Sequence, residues 1–254
     1  MVNNYHIDTT LFDPIGLEDM DKVKFMNRID SKYWFRINKL EKILQYVVSD
    51  YYILVIDGKD NLPYTSTYFD TLNNSMYIAH HNGKQNRYKI RKRSYISSGI
   101  SFMEVKFKSN KGRTIKKRIS SEFGNTQFTQ QEIDFIKKQT PYDYTQLKCA
   151  LINDFSRITL VNKNLKERCT IDLNVQFKYL TTNIVLDKLV ILEIKSEGNY
   201  NNSPLVLALR EERIKKSGIS KYCIGRAIVD PNLKQNRFKE KVIRLDKTIQ
   251  TDIN

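Results

Sequence analysis

Arg87, Lys89, Arg91 and Arg93 alternate with Tyr88, Ile90 and Lys92 in the run RYKIRKRSY. Period-two alternation is the mark of a β-strand, which sends one set of side chains to one face and the other set to the opposite face. The four cations then form a row at a pitch of roughly 7 Å, and each neighbouring pair repels by about 2 kcal/mol at an effective dielectric of about 20. Such a face is tolerable in water, where it protects an edge strand from aggregation, or against a polyanion.

The next segments repeat the pattern. SFMEVKFK places Glu104, Lys106 and Lys108 opposite Met103, Val105 and Phe107. After the turn signal Asn110-Lys111-Gly112, Thr114, Lys116 and Arg118 alternate with Ile115, Lys117 and Ile119, where Lys117 is the one imperfection. Arg157 in DFSRITLV, Arg168, Thr170 and Asp172 in ERCTIDLNV, and Glu193 and Lys195 in LVILEIKS continue it. Such strands in succession predict a closed antiparallel barrel of the α+β class, with a polar lumen and helices packed outside: a tunnel.

The chain of 254 residues carries 43 Lys and Arg against 28 Asp and Glu, a formal charge of +15 that points to an anionic partner. Cys149, Cys169 and Cys223 lie too far apart for a zinc motif or a disulfide framework, which predicts a reducing compartment. No basic-then-apolar leader occurs, and no apolar run approaches the ~20 residues needed to cross a bilayer, so a cytoplasmic location is expected. No helix-turn-helix, RNA-recognition or zinc motif supports nucleic-acid binding, and a closed lumen would exclude a duplex.

Residues 1–20 read as a weakly structured leader interrupted by Pro14 and Gly16, residues 21–230 as the tunnel domain and residues 231–254 as a basic tail, helical in part. A strand is expected over KFMNRIDSKYWFR, then a helix capped by Asn38 with Glu41 in capping-box spacing. YYILVI and PYTSTYFDT read as strands, with Asp70 and Thr71 setting the turn that ends the second. His80 and His81 fall at an expected strand end, pointing apart, which disfavours a metal pair. A helix with Thr129 and Glu132 in capping-box spacing is expected near 129–139, strands at 154–162, 167–178 and 188–196, and a helix from Ser203-Pro204 to Gly218.

The ordered set SKYWF, STYFDT, RYKIRKRSY, FMEVKFK, TIKKRI, SRITLV, ERCTIDLNV, ILEIKS and SKYCIG resembles the VTC domain of polyphosphate polymerases, within the triphosphate tunnel metalloenzyme superfamily. The resemblance spans residues ~22 to ~228 of the sequence. It implies a barrel tunnel in which ATP gives its terminal phosphoryl group to polyphosphate, assisted by Mn2+ or Mg2+. Carried over motif by motif, Lys32, Arg91, Arg93, Lys106, Lys116, Arg157, Arg168, Lys195 and Lys221 would bind phosphates, Ser220 would assist, and Glu193 would ligate the metal.

These residue types suit that chemistry, because phosphoryl transfer depends on alignment and charge neutralisation more than on covalent work by the protein. Arg offers a planar fork for phosphate oxygens and Lys a compact point charge. Glu104, the rival acid, reads as a charge-balancing partner, and Asp172 as a group that orients an arginine. Arg87 and Lys89 fall at the tunnel mouth or outside it. Tyr33 and Trp34 read as wall packing rather than adenine stacking. Where hydrolytic relatives carry a row of glutamates, this chain has Arg28, Asp30 and Lys32, a balance that favours holding a polyanion. The competing readings are a metal-dependent triphosphate or polyphosphate hydrolase and a non-catalytic polyphosphate-binding module; a polymerase would hand its product to a separate membrane partner.

Overall fold

The computed structural model describes residues 7–20, 28–197 and 201–250. The chain begins with β1 (Asp13–Ile15), α1 (Leu17–Met20), β2 (Arg28–Arg36) and α2 (Leu40–Val47). It continues through β3 (Tyr51–Leu54), β4 (Leu62–Thr71), α3 (Ser75–His81), β5 (Arg87–Tyr95), β6 (Ile100–Lys108) and β7 (Thr114–Ser121). Then come α4 (Gln130–Gln139), β8 (Leu147–Asn162), β9 (Glu167–Tyr179), β10 (Thr182–Leu186) and β11 (Leu189–Glu197). Three helices finish it: α5 (Pro204–Glu211), α6 (Lys221–Val229) and α7 (Asn236–Gln250).

The strands form one eleven-stranded sheet with the main order β2-β11-β9-β8-β4-β5-β6-β7. Its pairings are antiparallel except for β1, which runs parallel to β3. The expected closed barrel is not formed: among the described residues no register joins β2 to β7, so the sheet is open. The reason lies in β7, which is exposed along most of its length and carries Lys117 on the face opposite Lys116 and Arg118. A strand with cations on both faces behaves as a protected edge rather than a closing seam.

Several local expectations are corrected. The helix expected from Asn38 begins instead as a 3-10 turn over Ile37–Lys39, and no side-chain cap forms at its N-terminus. His80 and His81 end helix α3, not a strand. The helix from Ser203 stops at Glu211 because Arg213 turns into the left-handed region at φ 56°, well before Gly218. Pro14 lies inside β1, so the leader contributes a strand, while residues 1–6, 24–27 of the expected first strand and 251–254 of the tail fall outside the described residues. By contrast, Thr129 and Glu132 build the anticipated capping box on α4, and Ser203 caps α5.

The two sheet faces bury different cores. On the convex side α2 and α5 cover Ile158, Leu160, Ile171 and Leu192, while α4 covers Ile90, Met103 and Val105. On the concave side α6 and α7 lie against Trp34, Leu151, Val175, Phe177 and Leu189. Asn174, at φ 51°, is what lets β9 serve both purposes. The bulge it makes shifts the alternation, so Thr170 and Asp172 face the concavity before it and Val175 and Phe177 after it.

Helix α6 is the floor of the remaining space and is tied down along its length. Tyr222 donates to buried Asp70, which also accepts the backbone N–H groups of Met76 and Tyr77 at the start of α3. Asp70 thus does more than end a strand. Arg226, fully buried, donates to the Ala150 carbonyl and pairs with Asp230. Gly225 faces the sheet so closely that a Cβ would stand 2.6 Å from Phe177 and 2.7 Å from Leu151. Gly225→Ala therefore overpacks this contact and should lower unfolding free energy by about 1–3 kcal/mol, read from denaturant midpoints.

Candidate functional site

The half of the concave face not filled by α6 and α7 is polar, and two adjoining cavities occupy it. The central one, about 220 Å³, is lined by nine Lys and Arg side chains and four carboxylates. The second, about 370 Å³, shares Lys32, Lys89, Lys106 and Ser220 with the first and adds Arg87, Lys108 and Lys241, but no carboxylate. The row on β5 spans both: Arg87 lines the outer cavity, Lys89 both, Arg91 and Arg93 the central one.

Three of the four carboxylates of the central cavity are held between cations. Glu104 on β6, 1% exposed, pairs with Arg91 on β5 at 2.5 Å and with Lys116 on β7. Asp172 on β9 receives Nε of Arg157 at 2.5 Å and Lys221 of α6 at 2.7 Å. Glu193 on β11 pairs with Lys32 of β2 and lies 3.8 Å from Lys195. Aromatic faces complete the setting: Lys221 stands 3.2 Å from the centre of the Phe155 ring, and Arg91 donates to the Tyr68 hydroxyl at 3.3 Å.

Burial sets the charge states. It would push Glu104 and Glu193 up, but their cations overcome it and hold both near 2: Arg91, Arg93 and Lys116 for Glu104, Lys195 and Lys32 for Glu193. Asp172 is likewise held below the usual carboxylate range by Arg157 and Lys221. The lysines go the other way. Burial pushes Lys221 down to about 7 despite Asp172, and pushes Lys106 and Lys195 down to about 8, with neighbouring cations adding to the fall. His80, in the outer cavity, is kept near 3 by burial and by Lys89 and Arg87, so it is neutral at ordinary pH.

The expected residues largely converge here. Lys32, Arg91, Arg93, Lys106, Lys116, Arg157, Lys195, Ser220, Lys221 and Glu193 all line the central cavity. Arg168 lies opposite Lys195 in the β9–β11 register, outside the residues that line either cavity. Lys89, whose place the spacing left open, points inward and donates to Ser220 at 2.8 Å. Its signal was its place in the β5 row. Asp30, two residues before Lys32 in the expected strand, lines the central cavity with it, while His80 and Lys241 reach the outer one with no charge pattern in the sequence to mark them. Tyr33 and Trp34 are buried in the cores, as expected of wall residues.

A divalent cation is tested by its donors. Among the described residues no cluster of three or more His, Cys, Asp or Glu exists. The ionised Glu193, with Asp30 in the same cavity, offers hard oxygens to a cation that completes its shell with phosphate oxygens and water, which is how magnesium-type sites are commonly built. The residues fit such an ion only in the company of a phosphate ligand.

The family model of the VTC domain matches residues 27–230, and the chain belongs to the VTC domain family. Comparison with characterised proteins gives no match. Among solved structures, a candidate adenylyl cyclase from Hippeastrum, described as having a dominant triphosphatase activity, is 11% identical with a TM-score of 0.49, over 79% of this chain and 96% of that one. A candidate adenylate cyclase from Bacillus halodurans is 13% identical with a TM-score of 0.48, over 77% and 96% of the two chains. One from Vibrio parahaemolyticus is 11% identical with a TM-score of 0.47, over 78% and 96%. These are distant likenesses. No helix among the described residues is long and apolar enough to cross a membrane.

The lowered lysines carry a pH signature with opposite signs for binding and folding. As pH rises from about 7 to about 9, Lys221, Lys106 and Lys195 lose protons in the folded protein, while unfolded lysines keep theirs to near 10.5. The unfolded state then binds more protons, so these groups make folding more favourable as pH rises. Affinity for inorganic tripolyphosphate should fall about tenfold over that window in titration calorimetry, since each lost charge weakens the anion contact.

Proposed function

We propose that this chain is an ATP-dependent polyphosphate polymerase, transferring the terminal phosphoryl group of ATP to a growing polyphosphate chain with the help of Mn2+ or Mg2+. The observation that carries the reading is the continuity of the two cavities. A site for one triphosphate needs a cationic pocket of limited reach. Here the pocket, with its nine cations and four carboxylates, runs on into a second space whose charged side chains are all Lys and Arg, which suits a string of phosphates.

The chain's own groups supply positioning and charge. Arg91, Arg93 and Arg157 offer planar forks held in place by Glu104, Ser66 and Asp172, so their orientation is fixed before the ligand arrives. Lys89, Lys106 and Lys195 give point charges that follow a chain without demanding one register. Ser220, which lines both cavities, and Lys221, which lines the central one, stand at the start of α6, where the attacking and departing oxygens would be aligned. Glu193, with Asp30 beside it, would hold the divalent ion, which when bound supplies neutralisation of the charge on the phosphate oxygens. Arg168 would act from beside Lys195 by adding to the positive field. Delivery of the polymer to a membrane partner and a cytoplasmic setting go with this reading.

Incubated with ATP and Mn2+ or Mg2+, the protein should release ADP and build an anionic polymer that a polyphosphatase degrades. Glu193→Gln should cut turnover by roughly 100-fold or more while its circular dichroism stays that of the parent. Free phosphate without polymer would make the protein a hydrolase, and salt-sensitive polyphosphate binding without turnover would make it a binding module.

A further inference from the structure

A groove lies on the side of the sheet away from the two cavities. Successive residues of a strand point to opposite faces, so Tyr33 leaves β2 on the convex side while Lys32 enters the concavity. Beside Tyr33, α5 and the segment that follows it enclose about 600 Å³, more than either cavity of the concave face. The floor is Tyr33, Val206 and Ile214, all members of the buried core under α5. The rim is Arg210, Arg213, Lys215 and Lys216, all exposed, and among the described residues no acid lines it.

The backbone holds this rim as a frame. Arg210, in the last turn of α5, donates to the Asn201 carbonyl at 3.3 Å. Arg213 turns into the left-handed region at φ 56°, and the Ile214 N–H closes on the Leu209 carbonyl at 2.8 Å, which sets Ile214 into the floor. At the far end the Ser217 N–H donates to the Lys32 carbonyl at 2.8 Å, tying the segment to the edge of β2. The acids of the same stretch are engaged elsewhere. Glu212 pairs with Lys42 of α2 at 2.6 Å and with Lys39 at 3.7 Å, and Glu211 is not among the lining residues. No ion pair joins Arg213 or Lys215 to an acid among the described residues.

We propose that this groove docks an acidic segment of a partner protein, with an apolar side chain of the segment on Tyr33, Val206 and Ile214 and its carboxylates on the basic rim. A small-molecule site fixes its ligand with polar groups inside the pocket. Here the buried groups are apolar and every cation is exposed at the margin, which is the anatomy of a protein interface. The sign of the partner follows from complementarity, since four cations with no acid among them repel a basic surface and attract an acidic one. That argues against a second copy of this chain, whose formal charge is +15. It is a concave groove, which suits an inserted segment better than a flat layer of lipid headgroups. An occupant on this side leaves the concave cavities accessible, so the inference goes beyond the polymerase reading and does not depend on it.

The probe is a short labelled synthetic peptide in which Glu and Ser surround a central Leu-Phe pair, followed by fluorescence anisotropy on the full chain. Saturating inorganic tripolyphosphate is present throughout to occupy the concave cavities. Wild type should bind the peptide, and Arg213→Glu with Lys215→Glu should weaken it at least about tenfold while circular dichroism stays that of the parent. The same double reversal at Lys137 and Lys138, exposed on α4, should leave the affinity within about twofold, because distant surface charges are screened at ordinary salt. Replacing the Leu-Phe pair by Ser at equal charge should cost about tenfold, as the loss of a central anchor does. Absence of binding, equal losses for the two double variants, or indifference to the Leu-Phe pair overturns the docking site. Two other results overturn it as well: wild type that sediments with anionic phospholipid vesicles but ignores the peptide, or a dimer in sedimentation that the Arg213 and Lys215 reversals dissociate.

Discussion

Three carboxylates shared between pairs of cations are what allow this sheet to exist. Cations about 7 Å apart on one strand face repel by about 2 kcal/mol per pair at intermediate dielectric, and bringing several strands together multiplies the contacts. Glu104 joins Arg91 of β5 to Lys116 of β7, and Asp172 joins Arg157 of β8 to Lys221 of α6. Glu193 joins Lys32 of β2 to Lys195 of its own strand. Every acid therefore does two things: it lowers the repulsion within the cavity, and it fixes the direction of the side chains it holds. Removal is most costly at Asp172, whose two partners Arg157 and Lys221 are both largely buried and would be left without that counter-charge.

The same logic explains why the rest of the molecule is built as it is. A concave face bearing so many charges cannot close on itself around an apolar core, so the apolar half of the concavity is filled by α6 and α7 while the charged half is left open to solvent. Helix α6 must then be located accurately, because Ser220 and Lys221 at its start line the cavities. The Tyr222–Asp70 bond, the buried Arg226 and the close approach at Gly225 all act on that placement. Asp70 also anchors the first turn of α3, so one buried carboxylate sets two helices against the sheet.

Period-two alternation made the inward rows legible, because a residue's face on a strand follows from parity alone. It made the apolar outer rows of β5 and β6 legible for the same reason. Closure was not legible: parity assigns faces but carries no information on whether the first and last strands meet, and Lys117 was the only hint that β7 ends the sheet. The identities of the ion pairs were hidden as well. Arg157 and Asp172 belong to different strands, and Lys221 to a helix, so their meeting depends on registers that alternation does not fix. The bulge at Asn174, which reverses parity within β9, is a further case in which a local backbone choice overrides the pattern. Local signals succeeded where the physics was local, as at the Thr129 capping box, and failed at α3, whose short run could not be told from a strand end.

Cations gathered this densely repel one another, and a polyanion among them relieves that repulsion. Lys221, Lys106 and Lys195 are pushed toward neutral pKa by burial, so the free protein holds them partly deprotonated near and above neutral pH. A phosphate chain placed among them favours the charged form and draws protons in, which makes binding and protonation one event. The arginines stay charged near neutral pH: Arg157 through its pair with Asp172, and Arg93 because burial lowers it only to about 10. Fixed guanidiniums thus give the cavity permanent positive contacts, and the titrating lysines give it charge that appears in step with the ligand. For a ligand that must both bind and advance, that division matters: contacts that strengthen only where phosphate is present hold the chain along the whole row without committing it to any single register.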